Sequence, residues 1–510
     1  MRKALKNNLL EIFKTIYEAH GIVKSFIDKK EYDNAQNLLA DCQDTAIQIG
    51  NLIEESEGEG FITVSFLEEY CEALYEASIN FSESNGYKVQ KQLDKKIIKA
   101  ENSVRNDIEE KIHIAFFPYK ASMWGSFESI WKTAKSCDKC EVAVVAIPYC
   151  EYDEKMKAKK WIYEADAFPA DVEIIPYQNY KLETQNPDIS FIHNPYDNQN
   201  TLTSVYPYFY SENIKRHSGC LVYSPYFTLG TYRPENTMFF INSGSKNADK
   251  IIVQSKFVAD LYLKHGYNKE KLIVLGSPKV DSIVNSCGKE AGNKRNEYMP
   301  DEWKSKLADK DKIFLLNTHW SYFLNGHIYK EKNNTYDFAQ RYHNDLLNAI
   351  NKFEGKVGLI WRPHPLLISA IEQRCPMLLE YINDFTKRLE ESDYAVIDRN
   401  GSYVNAFNCS DAMITTYSSI INEYLLTEKP VHIFQSKPSD EVGENSPIDY
   451  RKCYFYFKKD NGMSFQRFIQ MVINNEDPMY EERMRMLTEK AFANTDGTAG
   501  EKILQHLIDN

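Results

Sequence analysis

Hydroxyl side chains cluster in one segment of this chain that has the pattern of a strand, a turn and a helix start. Residues 410–430 read SDAMITTYSSIINEYLLTEKP. The apolar run 412–414 is typical of a buried strand, and the apolar residues after Ser419 recur at helical spacing. Unpaired backbone N–H groups at such a helix start, together with the hydroxyls of Ser418 and Ser419, favour an anion. The segment therefore predicts a phosphate-binding turn, with Ser418 as an ordinary helix cap as the alternative.

A second polar corner follows another strand pattern earlier in the chain. Residues 356–361, KVGLIW, are typical of a buried strand and run directly into Arg362, Pro363, His364 and Pro365. Open α/β sheets bind their ligands beyond the carboxyl ends of the strands, where a guanidinium and an imidazole are costly groups to place. Taken alone, RPHP is more often a tight turn with a surface arginine. Its combination with the hydroxyl-rich turn favours a binding site.

Composition limits the classes of protein and of partner. A chain of 510 residues is too long for one hydrophobic core, which predicts two or three domains. The formal net charge of −12 argues against nucleic acid as the main partner, so a phosphate ligand must be held by a local site.

Cysteine usage and hydropathy predict the cellular location. The ten cysteines are scattered, as in a cytosolic protein with reduced thiols. Cys137 and Cys140 form a CxxC pair, but a second pair at zinc spacing is missing, so we predict neither a metal nor a redox role. There is no secretory segment and no run of about 18 apolar residues, which predicts a cytoplasmic protein, or one peripheral at the inner face of the cell membrane.

The first 108 residues differ from the rest in the spacing of their apolar side chains. Their apolar side chains recur at helical spacing, and Gly-containing breaks near residues 56–60 and 84–86 separate the helices. We expect a helical hairpin or bundle over residues 1–108, and assembly, including homo-oligomer formation, rather than chemistry as its role. The basic cluster 91–99, KQLDKKIIK, is either a contact to an anionic membrane or a solvated helix face.

From Lys111 onward the pattern alternates between strands and helices. Strand patterns include 112–117 and 172–175 in a domain at 109–290, and 313–316 and 356–361 in a domain at 310–510, with a polar linker between them. Such alternation predicts α/β architecture with largely parallel, doubly wound sheets. The sequence thus predicts two Rossmann-like domains that face a ligand-binding cleft, preceded by the helical region.

The combination of three motifs resembles a known family. GSPKVD at 276–281, RPHP at 362–365 and the segment 410–430 are similar to motifs of the CDP-glycerol glycerophosphotransferases, the teichoic-acid polymerases and primases of GT-B fold. The resemblance covers roughly residues 110–440 and is strongest in the C-terminal half. It implies an acceptor side in the domain 109–290 and a CDP-donor side in the domain 310–510.

The resemblance also implies roles for individual residues. Arg362 and His364 would face the diphosphate of a CDP-activated alditol, and Ser418 and Ser419 would hold its phosphates. Glu423 would accept hydrogen bonds from the hydroxyls of the ligand, with compensation of the helix dipole as the alternative.

Three positions depart from the family pattern. Thr416 stands where the family has an aspartate before YSS, and Asn317 to Trp320 stand where it has PTWR. Residues 222–230 stand where the family has its acceptor-side WHGTPLK segment, so the catalytic histidine expected there is missing.

The chemistry implied by the resemblance requires donors around a phosphoryl group and a base for the proton of the acceptor. Arg362 and His364 would act as catalytic donors, and since no DxD-type carboxylate pair stands out, we predict neither a metal nor another cofactor. His193, which follows a strand pattern, is the candidate base with Asp197 as its orienter, and a structural histidine is the alternative. His319 is a rival base on the nucleotide side.

The remaining substrate-binding predictions concern the first strand-to-helix loop and the turn. Tyr119 and Ser122 are expected to contact the acceptor, and Thr416 and His319 the donor. The predicted function is transfer of a phosphoalditol from a CDP-alditol donor to a hydroxyl of a cell-surface glycopolymer or its lipid-linked precursor, with release of CMP. The alternatives are another CDP-alditol such as CDP-ribitol, a nucleotide-sugar glycosyltransferase, or a non-catalytic scaffold.

Overall fold

The computed structural model describes the whole chain except residues 80–84, 153–156, 201–202, 288–294, 320–334, 354, 365–366, 375, 435–439, 457–461 and 510. The described chain divides into two compact units. The first contains Met1–Ala115, Ala134–Ala143 and Leu182–Ile189, and the second contains Phe116–Thr133, Val144–Lys181 and Ser190–Asn510.

The N-terminal region of the first unit is helical, as predicted. Its helices are Lys3–Asp28, Tyr32–Glu57, Ile62–Ile79 and Gly86–Asn106. Apolar side chains from all of them, among them Phe13, Leu39 and Leu93, share one buried core, so the helices pack as a bundle. A buried polar group lies within it: the His20 ring contacts the Asp94 carboxylate at 2.7 Å and the Tyr70 hydroxyl at 2.6 Å.

The strands of the N-terminal α/β half form two sheets. In chain order they are β1 (Ile112–Phe117), β2 (Cys140–Val144), β3 (Tyr149–Tyr152), β4 (Ala158–Ile162), β5 (Ile189–Ile192), β6 (Thr203–Val205), β7 (Cys220–Tyr223), β8 (Lys250–Ile252) and β9 (Leu272–Ile273). Among the described residues the larger sheet has the order β2-β1-β5-β7-β8-β9, and β3, β4 and β6 form an antiparallel sheet that the sequence did not predict. The strand predicted at 172–175 is wrong, because Ile174 makes a single bridge to Val144 there.

The described strands of the C-terminal half form one sheet that is parallel throughout. Its strands are β10 (Lys312–Asn317), β11 (Val357–Trp361), β12 (Ala395–Ile397), β13 (Ala412–Thr415), β14 (Val431–Ile433) and β15 (Phe455–Tyr456). In the described part of the chain they lie in the order β12-β11-β10-β13-β14-β15, with every neighbouring pair parallel. This is the Rossmann order, in which the connections reverse direction between β10 and β13 and leave a crevice at the carboxyl ends of those strands.

Helices cover both faces of this sheet, which explains the nearly continuous apolar pattern of its strands. Along β10, Phe314 and Leu316 belong to one buried core, and Ile313 and Leu315 belong to another on the opposite face. The helices of the α/β halves are Glu128–Lys135, Leu182–Gln185, Ser211–Arg216, Ser243–Asn247, Lys256–Lys264, Pro278–Cys287, Arg295–Tyr298, Asp301–Leu307, Thr335–Asn351, Leu367–Arg374, Leu378–Glu391, Val404–Cys409, Ile420–Leu425, Asp440–Glu444, Tyr450–Cys453, Phe465–Ile473, Tyr480–Met486 and Ala499–Asp509.

The segment predicted as a linker is partly folded. Residues 288–294 lie outside the described residues, but Trp303 and Leu307 on the helix Asp301–Leu307 are buried in the core of the C-terminal half. The end of the chain then returns to the N-terminal half, where the Asp281 carboxylate accepts the backbone N–H groups of Ala499 at 3.0 Å and Gly500 at 2.7 Å.

The predicted fold class is therefore confirmed: two Rossmann-like domains that face a cleft, preceded by a helical region. In the part of the chain that the structure describes, we find no helix whose length and hydropathy would suit a membrane span.

Candidate active site

Three polar corners meet at the carboxyl edge of the C-terminal sheet. They lie at the ends of β10 (Asn317–His319), β11 (Arg362–His364) and β13 (Thr416–Ser419). Because β10 pairs with both β11 and β13, the ends of β11 and β13 are separated by two strand spacings, or about 10 Å. The corner Arg362–His364 and the hydroxyl-rich turn thus lie on either side of the end of β10. Pro365, the last residue of the RPHP motif, lies outside the described residues.

Hydrogen bonds join these corners. The Asn317 side-chain amide donates to the Arg362 carbonyl at 2.9 Å, and the backbone N–H of His319 donates to Thr416 Oγ1 at 2.9 Å. Thr416, which is almost completely buried, therefore holds the end of β10 in place. A contact between Thr416 and a ligand stays a prediction.

The structure brings His319 and His364 together. Their ring centroids lie 4.7 Å apart at an interplanar angle of 69°. Burial and the neighbouring His319 ring lower the pKa of His364 to about 4, and burial also lowers the pKa of His319. Both rings are therefore neutral at pH 7, and a neutral imidazole offers one N–H donor and one acceptor nitrogen.

The hydroxyl-rich turn contains a buried hydroxyl with unmet hydrogen-bonding capacity. Among the described residues, Ser418 Oγ and Thr318 Oγ1 are both buried without a hydrogen-bond partner. Ser419 is exposed and precedes the helix Ile420–Leu425, and within the described chain its side chain makes no capping hydrogen bond. The alternative of an ordinary capping role for Ser418 thus finds no support. A buried hydroxyl without a partner costs free energy, which a bound ligand oxygen would recover.

Arg362 is held by protein groups. Its guanidinium forms an ion pair with the fully buried Asp398 carboxylate and donates to the carbonyls of Gly401 and Ser402, each at 3.1 Å. These guanidinium N–H groups bind the loop after β12, so the contact of Arg362 with a diphosphate stays a prediction. Asp398 was not predicted as a site residue, although an aspartate directly after a strand pattern was the available signal.

Glu423 also has protein partners. Its carboxylate lies 2.5 Å from Lys279 Nζ and accepts a hydrogen bond from the Tyr403 hydroxyl. Lys279 belongs to the GSPKVD motif, and its ammonium also donates to the Tyr226 carbonyl at 3.0 Å. Two of the three motifs that carry the resemblance are therefore in direct contact. A contact of Glu423 with ligand hydroxyls stays a prediction.

His193 is enclosed in the N-terminal half. The ring is completely buried, with Nε2 accepting the Tyr119 backbone N–H at 3.1 Å and Nδ1 lying 3.1 Å from Ser126 Oγ. Burial lowers its pKa to about 3. Since both nitrogens have internal partners, this geometry favours the structural alternative over a general base.

The other residues predicted on the acceptor side differ in their contacts and in their exposure to solvent. Asp197 does not orient His193, and that prediction is wrong, because the Asp197 carboxylate instead binds the Ser211 backbone N–H at 3.0 Å and its hydroxyl at 2.6 Å. Tyr119 follows β1 and is buried, while Ser122 is exposed on the 3₁₀ helix Ala121–Ser126.

Residues 222–230, where the acceptor-side histidine of the family is missing, contact the C-terminal half directly. The Thr228 carbonyl accepts a hydrogen bond from the Asn422 side chain at 3.1 Å, and the Gly230 carbonyl accepts one from the Ile448 N–H at 3.0 Å. A Cβ atom at Gly230 would lie 2.2 Å from Asn422 Oδ1, so the close approach requires glycine. The segment 222–230 thus contacts the helix that directly follows the hydroxyl-rich turn.

Two Rossmann-like domains that face a cleft define the GT-B class of transferases. The family model described as CDP-Glycerol:Poly(glycerophosphate) glycerophosphotransferase matches residues 231–509, which is more than half of the chain. The chain belongs to this family, and the resemblance drawn from its motifs is confirmed.

Individual relatives are more distant. The minor teichoic acid biosynthesis protein GgaB of Bacillus subtilis (strain 168) is 24% identical over 322 residues, which cover 59% of this chain and 32% of GgaB. The match thus spans about a third of the length of that relative.

Solved structures are similar at low identity. The wall teichoic acid polymerase TagF is 12% identical, covering 88% of this chain and 98% of that chain with a TM-score of 0.47. A putative UDP-N-acetylglucosamine 2-epimerase from Listeria monocytogenes is 13% identical, covering 78% and 96% of the two chains with a TM-score of 0.47.

Proposed function

We propose that this protein transfers glycerol phosphate, or a closely related phosphoalditol, from a CDP-activated donor to an acceptor hydroxyl and releases CMP. The acceptor would be a cell-surface glycopolymer or its lipid-linked precursor. Family membership supports the reaction class, and one observation supports the donor site. Among the described residues, the hydroxyls of Thr318 and Ser418 are buried without a hydrogen-bond partner at the strand ends that also place His319 and His364.

In this proposal the acceptor oxygen attacks the distal phosphorus of the donor, the bond from that phosphorus to the bridging oxygen breaks, and CMP carries the bridging oxygen away. The hydroxyls of Ser418 and Ser419 donate to the phosphoryl oxygens as charge develops on them. His364, neutral at pH 7, donates an N–H to the departing phosphate.

The proton of the acceptor hydroxyl needs an unprotonated nitrogen. His319 lies beside His364, has a lowered pKa and is therefore neutral at pH 7. We assign it this proton in place of the enclosed His193. Arg362 then braces the corner that carries His364 through its ion pair with Asp398.

The setting of the reaction is part of the proposal. A CDP-activated donor places the enzyme in the cytoplasm, and a lipid-linked acceptor would bring it to the inner face of the membrane. The exposed lysines 88, 91 and 95 of the helix Gly86–Asn106 are suited to an anionic surface, and the helical bundle offers a surface for homo-oligomer contacts.

The test is to incubate the purified chain with CDP-glycerol, CDP-ribitol and UDP-sugars, each with a lipid-linked acceptor, and to measure release of CMP or UDP. We expect CMP from a CDP-alditol, and we expect His364→Ala to lower turnover at least about a hundredfold with the fold intact. UDP release without CMP release would favour a glycosyltransferase. Tight binding of a CDP-alditol without turnover would favour a scaffold.

A further inference from the structure

The ammonium group of Lys279 joins the segment 222–230 to the helix that follows the hydroxyl-rich turn. Lys279 Nζ lies 2.5 Å from Glu423 Oε1 and donates to the Tyr226 carbonyl at 3.0 Å. The Lys279 side chain is 21% exposed and the Glu423 side chain 8%, so the pair is largely shielded from water. Lys279 lies on the helix Pro278–Cys287 of the N-terminal half, and Glu423 lies on the helix directly after Ser419.

The contacts continue from Glu423 into the C-terminal half. The Tyr403 hydroxyl donates to the Glu423 carboxylate, and burial together with that carboxylate raises the pKa of Tyr403 well above its ordinary value, so the phenol stays protonated. Tyr403 directly follows the loop whose carbonyls at Gly401 and Ser402 bind the Arg362 guanidinium. These contacts, together with the peptide bond from Ser402 to Tyr403, thus connect Arg362 to the Tyr226 carbonyl.

Stability alone is a weak explanation for such a pair. A partly buried ion pair contributes little net free energy of folding, because removing both charges from water offsets their attraction, whereas it does fix one arrangement of the groups it joins. Here it joins Tyr226, in the segment 222–230, to the helix that begins at the phosphate-binding turn.

We infer that Lys279 is a positioning residue. Through Glu423 and the Tyr226 carbonyl it fixes the segment 222–230, on the predicted acceptor side, against the hydroxyl-rich turn on the predicted donor side. The inference rests on the proposed function and extends it to the alignment of the two substrates. Lys279 holds no substrate atom in this assignment. Its loss therefore lowers the rate of transfer to the acceptor while the donor still binds, because displacement of a reactant by about 1 Å costs up to about a hundredfold in rate.

The experiment compares Lys279→Met, Lys279→Arg and the exchanged pair Lys279→Glu with Glu423→Lys in the full chain. CMP release at varied acceptor concentration gives kcat/KM, and calorimetry with CDP gives the donor-side Kd. We expect Lys279→Met to lower kcat/KM for the acceptor at least about tenfold with the Kd of CDP within about threefold. Lys279→Arg, which keeps a cationic N–H donor, should recover part of the rate, whereas the exchanged pair should not, because a carboxylate cannot donate to the Tyr226 carbonyl.

The matched control is Arg295→Met. Arg295 forms an ion pair with Asp411, which also binds the Ile313 N–H near the amino end of β10, and so lies at the opposite edge of the same sheet. This variant is expected to lower the melting temperature without changing kcat/KM or the Kd of CDP.

Three outcomes would overturn the inference. If Lys279→Met weakens CDP binding in parallel with kcat/KM, Lys279 binds the donor. If kcat/KM is unchanged while the unmodified chain is active, the pair positions nothing. Absence of CMP release by the unmodified chain with every donor and acceptor would overturn the proposed function, and this inference with it.

Discussion

The imidazole rings of His319 and His364 meet edge to face with their centroids 4.7 Å apart, at the ends of the neighbouring strands β10 and β11. Burial first, and the His319 ring second, lower the pKa of His364 from 6.5 to about 4. As pH falls, His364 therefore gains its proton near pH 4, and it is neutral throughout the range in which an unperturbed histidine titrates.

This relationship predicts where His364 titrates. Protonation of its imidazole is expected near pH 4 rather than near 6.5. His319→Phe keeps an aromatic ring but removes the neighbouring charge, so the midpoint should move to higher pH while staying below 6.5, because burial is the larger cause. NMR titration of the imidazole signals over this pH range, with the folded fraction followed by circular dichroism, measures both midpoints. An unchanged or lower midpoint in His319→Phe would show that the rings do not interact electrostatically.

Because the Ser418 hydroxyl has no hydrogen-bond partner among the described residues, its removal should weaken donor binding and leave the stability of the fold almost unchanged. Ser418→Ala removes no hydrogen bond seen among the described residues, so the free energy of unfolding should stay within about 0.5 kcal/mol. Donor binding should weaken about five- to tenfold, as for loss of one hydrogen bond of about 1 kcal/mol. Thermal shift with and without CDP measures both effects.

Ser410 provides the matched control for Ser418. Its hydroxyl is buried in the same segment but is 3.0 Å from the Tyr424 hydroxyl and 3.4 Å from the Phe407 carbonyl. Ser410→Ala should therefore lower stability by about 1–2 kcal/mol and leave the affinity for CDP unchanged. If the two variants behave alike, the Ser418 hydroxyl does not bind the donor.

The sequence predicted the C-terminal sheet well because its strands are buried on both faces. Strands such as β10 and β11 are nearly continuous apolar runs, and each ends at a polar corner that is visible in the sequence. The segment 368–391, whose apolar spacing is typical of a helix, is not one continuous helix. It is divided into Leu367–Arg374 and Leu378–Glu391 around Pro376, since proline interrupts a helix at the residues before it.

The long-range partners were not predictable from the sequence. Residue types at the strand ends indicated an anion site, but nothing local relates Arg362 to Asp398 or Glu423 to Lys279, and each pair forms only through the tertiary fold. Likewise, a histidine after a strand has the same local pattern whether it faces a cleft or, as His193 does, the interior of a domain.

The Arg362–Asp398 pair predicts a large effect on stability. Arg362→Met leaves the fully buried Asp398 carboxylate without its cation, which is expected to lower the free energy of unfolding by about 3–5 kcal/mol. Adding Asp398→Asn removes the uncompensated charge while keeping an oxygen for the Asn400 N–H, so the double variant should be more stable than Arg362→Met alone. Urea unfolding measures the difference. A cost below about 1 kcal/mol for Arg362→Met, with at least tenfold weaker CDP binding, would instead make Arg362 a phosphate ligand.

The enclosure of His193 predicts a dependence of stability on pH. The unfolded chain gains a proton on this ring near pH 6.5, whereas the folded chain gains it only near pH 3. Since the unfolded state binds more protons between these values, His193 lowers stability as pH falls from 6.5, by up to about 1.4 kcal/mol per pH unit. His193→Phe keeps a ring to stack on Phe127, 4.8 Å away, but does not titrate, so its free energy of unfolding should fall less steeply between pH 6.5 and 4.5. Urea unfolding at several pH values measures the two slopes, and the variant should also be less stable at pH 7 because the Tyr119 N–H loses its acceptor. Equal slopes, or an acid limb of the pH–rate profile that disappears in His193→Phe, would show that His193 acts as the general base.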